Sequence, residues 1–143
     1  MSKLELIKNE LSKYDLFYGN LIHFQQLDYH RDFKILLFTN FGITKLRILL
    51  KGVISINYIS KIRRDDFSLD DKFLITNLPP PYEAYHWGIK NFEISNWVLE
   101  DSSPLILELQ KDYNFKLYKL TFETNSSDIS FIFGNLEVDE LNN

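Results

Sequence analysis

Short apolar runs, separated by polar or glycine-bearing gaps too brief to carry a crossover helix, fill residues 21–60 and 115–138. Antiparallel neighbours can be joined by a few residues, whereas parallel neighbours need a dozen or more. Such a chain is held to a mostly antiparallel sheet. Residues 21–27 (LIHFQQL) read as a strand and 28–32 as a polar turn, and 33–39 (FKILLFT) is apolar and branched enough for a strand buried on both faces. Asn40-Phe41-Gly42 is a short connection of the hairpin kind. Residues 43–50 and 53–59 follow as one long strand or two, divided at Lys51-Gly52, because a Gly inside a strand pattern often marks a bulge. In 92–99 (FEISNWVL), Phe92, Ile94 and Asn96 face one way and Glu93, Ser95 and Trp97 the other. Residues 115–124 and 128–138, joined by Asn125-Ser126-Ser127, make a C-terminal β-hairpin.

Two helices frame these strands. Ser2 and Glu5 have the spacing of a capping box, and Leu4, Ile7, Leu11 and Tyr14 recur at helical intervals, which predicts an amphipathic helix over 3–14. Ser103-Pro104 reads as an N-cap followed by N1, so 105–112 forms a two-turn helix, with a strand as the competing reading. The expected fold is α+β and β-dominated. It is a single domain over 1–143, with an N-terminal amphipathic helix, six or seven mostly antiparallel strands in a curved sheet or sandwich, and the C-terminal hairpin.

Composition narrows the chemistry. The chain has no Cys, which excludes disulfides, Cys-containing zinc sites and a cysteine nucleophile, and fits a reducing cytoplasm. The N-terminus lacks the uninterrupted apolar stretch of a secretory signal, and no apolar run approaches the roughly 20 residues that span a bilayer. The expected location is cytoplasmic, with no membrane partner. Residues 1–64 hold 11 Lys or Arg against 5 Asp or Glu, and residues 65–143 hold 5 against 15. Nucleic-acid binders concentrate basic residues on one face, but here Lys34, Lys45, Arg47, Lys51, Lys61, Arg63 and Arg64 are scattered along strand patterns. The expectation is no nucleic-acid partner, and the acidic second half fits a basic one.

Asp28-x-His30-x-Asp32 on a strand would offer a hard cation three ligands on one face, but the segment reads as a turn and Arg31 opposes a cation. His23 falls in a strand pattern. His86, in Tyr85-His86-Trp87, is the one candidate for a hydrolase base. The carboxylate pairs Asp65/Asp66, Asp70/Asp71 and Glu100/Asp101 are adjacent, whereas glycosidases set two acids on opposite walls of a cleft. No Walker pattern, dinucleotide-binding glycine fingerprint or G-x-S-x-G elbow occurs. The residues thus predict no enzyme, no cofactor and no metal site.

Residues 63–91 carry the better signal. They contain four Asp within seven residues, three consecutive Pro and a cluster of aromatics. They read as a long excursion with one short strand at 73–76, and long ordered loops tend to be functional. Tyr82, Tyr85, His86 and Trp87 are the candidate partner-binding anchors, because Tyr and Trp bury much area at interfaces. Asp65, Asp66, Asp70 and Asp71 would steer a basic partner toward them. Closure of the open end of the sheet by these aromatics is the rival reading.

The segments FEISNWVLE, KLYKLTFET and ISFIFGNLEVDEL, with Trp97, Glu100 and the closing Leu136-Glu137-Val138, give residues 45–141 a family look. That stretch resembles the small β-rich proteins encoded near secreted polymorphic toxins in bacteria, among them YxiG-like proteins and predicted immunity proteins. The resemblance implies a cytoplasmic antidote that binds and blocks a cognate toxin domain, a basic one if the acidic second half meets it, and it brings no catalytic residues. The expected function is a non-enzymatic protein-binding module of the immunity type. The alternatives are a β-rich structural or small-ligand-binding protein and, more remotely, a hydrolase using His86.

Overall fold

The Ser2 side chain accepts a hydrogen bond from the Glu5 amide (3.2 Å), and the cap it forms starts a helix, α1, at Lys3–Ser12. The computed structural model describes residues 2–17, 19–27, 31–39, 44–60, 92–124 and 127–141. Ile7 and Leu11, four residues apart, share the buried stripe of α1. Eight strands follow among the described residues: β1 (Asn20–Gln26), β2 (Phe33–Thr39), β3 (Thr44–Lys51), β4 (Ser55–Ser60), β5 (Phe92–Glu100), β6 (Tyr118–Thr124), β7 (Ser127–Phe133) and β8 (Asn135–Leu141). A second helix, α2 (Pro104–Gln110), lies between β5 and β6. It is capped by Ser103, whose hydroxyl accepts from the Ile106 amide, with Pro104 in the first turn, where its missing N–H costs nothing. The helix reading of this segment therefore holds over the strand reading.

The strands hydrogen-bond in the order β4-β7-β6-β5-β1-β2-β3-β8, every pair antiparallel. Among the described residues, the half β4-β7-β6-β5 joins the half β1-β2-β3-β8 in the strand order through a short β1–β5 pairing, Asn20↔Glu93 and Leu21↔Phe92, extended by the Ile94 N–H donating to the Gly19 carbonyl (2.8 Å). The chain forces these halves to face each other. Gly134 alone separates β7 from β8, which lie second and eighth in the order. In a flat sheet those positions would be about 29 Å apart, at about 4.8 Å per strand, and one linking residue reaches roughly 7 Å. The crossing is paired throughout. Gly134 donates to the Lys51 carbonyl (2.9 Å) and Ile54 donates to the Ile132 carbonyl (2.8 Å), so β3–β4 and β7–β8 remain partners as they pass between halves.

The main core fills the space between the halves. Ile35, Leu37, Leu46, Ile48 and Leu50 meet Leu120, Phe122, Ile129, Phe131 and Phe133, all essentially inaccessible. Phe131 of one half packs against Phe24 and Phe33 of the other, edge-on at 5.7 Å and tilted at 6.4 Å. Helix α1 lies against β5 and β8, one strand of each half, and adds Ile7 and Leu11 to this core. Helix α2 covers the outer face of the first half, where Ile106, Leu117 and Ile132 form a smaller cluster. The Gln110 amide fastens its exit, donating to the Phe115 carbonyl and accepting from the Leu117 amide, each at 2.8 Å.

Three sequence expectations need correction. Among the described residues there are eight strands where six or seven were expected, because 43–59 divides at Gly52 and 128–138 divides at Gly134. Gly52 takes φ +67°, the left-handed region that disfavours other residues. The C-terminal hairpin is β6–β7, closed by Thr124 and Ser127, while Asn135–Leu141 leaves it to pair with β3. In β5, the register shifts between Ile94 and Asn96, and this bulge reverses the alternation after Ser95. Trp97 and Leu99 therefore pack on the core with Ile94, and Val98 is exposed. Leu27 N–H donates to the Asp32 carbonyl (2.8 Å), while residues 28–30 of the turn expected at 28–32 lie outside the described residues. The short strand expected at 73–76 lies outside the described residues.

Candidate binding surface

All eight candidate partner-binding residues, Asp65, Asp66, Asp70, Asp71, Tyr82, Tyr85, His86 and Trp87, fall outside the described residues, as do Asp28 and His30. The fold does fix where the chain leaves and rejoins the sheet around them. Ser60, the end of β4, pairs with Ser127, and Ile94, near the start of β5, pairs with Thr124. Both attachment points thus lie at the end of the first half that holds the β6–β7 turn. They are three strand positions apart, about 14 Å.

At that end the sheet presents β4, a terminal strand of the order, paired along 55–60 by β7. Its sequence, SINYIS, has no charge. Ile56, Tyr58 and Ile59 are 36%, 49% and 55% exposed. The register sets Ile56 and Tyr58 opposite Phe131 and Ile129 on the core-facing side, and Ile59 opposite Asp128 on the outer side. The other terminal strand contrasts with it: β8 carries Glu137, Asp139 and Glu140. Charges along an edge are a common protection against pairing with a second chain. Among the described residues, one terminal strand carries such charges and the other carries none. Sequence reasoning missed β4 as part of a surface because the alternation of Ile54, Ile56 and Tyr58 reads like any half-buried strand. The missing charge was the available signal.

The charge asymmetry between the chain halves is partly met inside the fold. On β3 and β8, Arg47 pairs with Asp139 (2.7 Å) and Lys51 with Glu137 (3.1 Å), and elsewhere Lys116 lies 3.6 Å from Asp101. Asp32, from the candidate metal pattern, accepts a hydrogen bond from the Gly52 amide (3.2 Å) and so helps to hold the corner. Among the described residues no group of three or more His, Asp or Glu is placed to hold a metal ion. Two groups there titrate away from their ordinary values. Lys13 is raised by its hydrogen bond to Glu10, and Tyr118 is raised by burial and then by the Asp101 carboxylate. No helix among the described residues is long and apolar enough to cross a membrane.

Comparison with known proteins gives one family. The YxiG-like protein family matches residues 5–143. Comparison with the curated proteins gives no match. Among solved structures, an uncharacterized protein from Neisseria gonorrhoeae aligns over 87% of this chain and 93% of its own, at 8% identity and a TM-score of 0.43.

Proposed function

The chain belongs to the YxiG-like protein family, and from that premise we propose that it is a cytoplasmic, non-enzymatic protein-binding module, an immunity-type inhibitor of a basic toxin domain. The observation that carries this reading is the uncharged strand β4 with its exposed Ile56, Tyr58 and Ile59, set beside the attachment points of the acidic and aromatic segment 61–91. A partner can extend a sheet at such a strand through main-chain hydrogen bonds, with side-chain pockets adding specificity. Asp65, Asp66, Asp70 and Asp71 would speed its approach, and Tyr82, Tyr85, His86 and Trp87 would supply buried anchors. Inhibition by occlusion needs a rigid scaffold and a complementary surface, not a reactive group.

The test is affinity capture from the source cells with the neighbouring genes expressed, using three forms of the tagged chain. These are the native chain, an Ile56→Lys/Ile59→Lys variant, and a variant with Asp65, Asp66, Asp70 and Asp71 changed to Asn. One basic protein held stoichiometrically by the native chain, and lost by both variants while their melting temperatures stay within a few degrees, is the expected result. Failure to capture such a protein, or capture that neither variant weakens, would overturn the reading.

A further inference from the structure

We propose that a pocket at the C-terminal end of α1 binds an organic cation, a quaternary ammonium or guanidinium group. The pocket has a volume of about 360 Å³ and is lined by Ser12, Lys13, Tyr14, Asp15, Phe17 and Trp97. It stands on residues other than those of the β4 surface, so either proposal can fail alone.

Four features select a cation. Three aromatic rings from two parts of the chain line the pocket, and among the described residues none of these three rings is packed against another. Tyr14 and Trp97 are half-buried against the main core, but no ring of the three covers another, and the face of an aromatic ring carries the negative end of its quadrupole. Phe17 is 46% exposed and stands in the wall of a concave site. The C-terminal end of α1 presents the negative pole of the helix, and its last turn carries no basic residue. The Asp15 carboxylate adds a full negative charge to the lining. The one cation in the lining, Lys13, is already held at 2.7 Å by Glu10.

Weakly hydrated cations are the class that fits, because a ring face attracts a cation best when little water must be removed from it. Ammonium groups bearing methyls and the guanidinium of arginine meet that condition better than a bare lysine ammonium. The other groove, at the Gly52–Gly134 corner, does not compete. Its Lys51 is on Glu137 and its Lys3 lies 5.7 Å from the Tyr118 ring centroid.

The experiment is a nitrogen-15 NMR titration of the full chain with choline, with N-acetylarginine amide, and with 3,3-dimethylbutan-1-ol, the neutral isostere of choline. Saturable shifts at the Trp97 indole N–H and at the amides of residues 13–17 are expected for a cation. The neutral isostere should bind about tenfold more weakly, the factor expected of one or two cation–aromatic contacts. Phe17→Leu keeps apolar bulk at an exposed position and removes the ring, so it should weaken the cation roughly fivefold and the isostere little. Tighter binding of choline would point to a free quaternary ammonium compound, and tighter binding of the arginine derivative to a protein side chain. The proposal is overturned by no saturable shift up to about 100 mM of either cation, a hundred times a ~1 mM dissociation constant. Equal affinity for the isostere, or Phe17→Leu binding choline as the native chain does, would overturn it as well.

Discussion

Replacing Gly134 with alanine tests whether the corner that folds one half of the sheet onto the other is built around the Phe115 ring. A Cβ at position 134 would lie 2.7 Å from Cδ2 and 2.8 Å from Cε2 of Phe115. Carbon atoms in contact sit about 3.5–4.0 Å apart, so the ring must retreat by roughly 1 Å. Phe115 packs on the smaller cluster, with Tyr113 at 5.5 Å, so its retreat loosens what holds α2. Overpacking of this kind costs about 1–3 kcal/mol. Alanine also restricts the unfolded chain, which offsets about 0.4–1 kcal/mol, and Gly134 does not use the positive φ that would penalise alanine further. The expected net loss is about 1–2 kcal/mol, a fall in melting temperature of about 3–6 °C. The decisive assay is a double-mutant cycle by urea unfolding. With Phe115→Ala in place the obstruction is gone, and Gly134→Ala should become neutral or stabilising by up to ~1 kcal/mol. The same loss in both backgrounds would refute the account of the corner.

Gly52→Ala should cost about 1–2 kcal/mol through its backbone conformation, Gly52→Asn less, and Phe115→Ala should not relieve it, since the nearest Phe115 atoms are 3.6 Å from the would-be Cβ. Thermal unfolding of the three variants checks the order. Phe131→Ala removes the ring that spans both halves and should lose about 3–5 kcal/mol in urea unfolding; a loss under ~1 kcal/mol would contradict the facing of the halves. A double-mutant cycle on the exposed pair Arg47–Asp139 should give at most ~1 kcal/mol, most of it gone in about 1 M salt. Tyr118 is held above its ordinary value by burial and then by Asp101, so the unfolded chain ionises first as pH rises past about 10. Its contribution is fully present below that pH and is lost as pH climbs through the raised folded value. Tyr118→Phe should accordingly shrink the loss of stability measured by urea unfolding between pH 9 and pH 11.5, and an unchanged alkaline loss would refute the assignment.

Local chemistry and period determined the elements. Ser2 with Glu5, and Ser103 with Pro104, marked both helix starts, because capping acts within three residues and needs nothing from the rest of the chain. Alternation marked the strands, and the brief gaps between them required antiparallel pairing. The same local signals could not say that β8 leaves the hairpin to lie on β3. The apolar phase does shift at Gly134, from Ile129, Phe131 and Phe133 to Leu136 and Val138, but strand pairing depends on partners some 90 residues away, as Arg47 and Asp139 are. Nor could they set the phase of β5, where a bulge at Ser95, with its hydroxyl donating to the Glu123 carbonyl, turns Trp97 inward. The binding residues read from composition all lie on 61–91, and the fold contributed what composition could not: the neighbouring strand β4 and the end of the sheet at which that segment is attached. Tertiary structure decided these matters because the two facing halves, not any local preference, determine which faces are buried. A strand becomes an edge only when every other strand has chosen its neighbours.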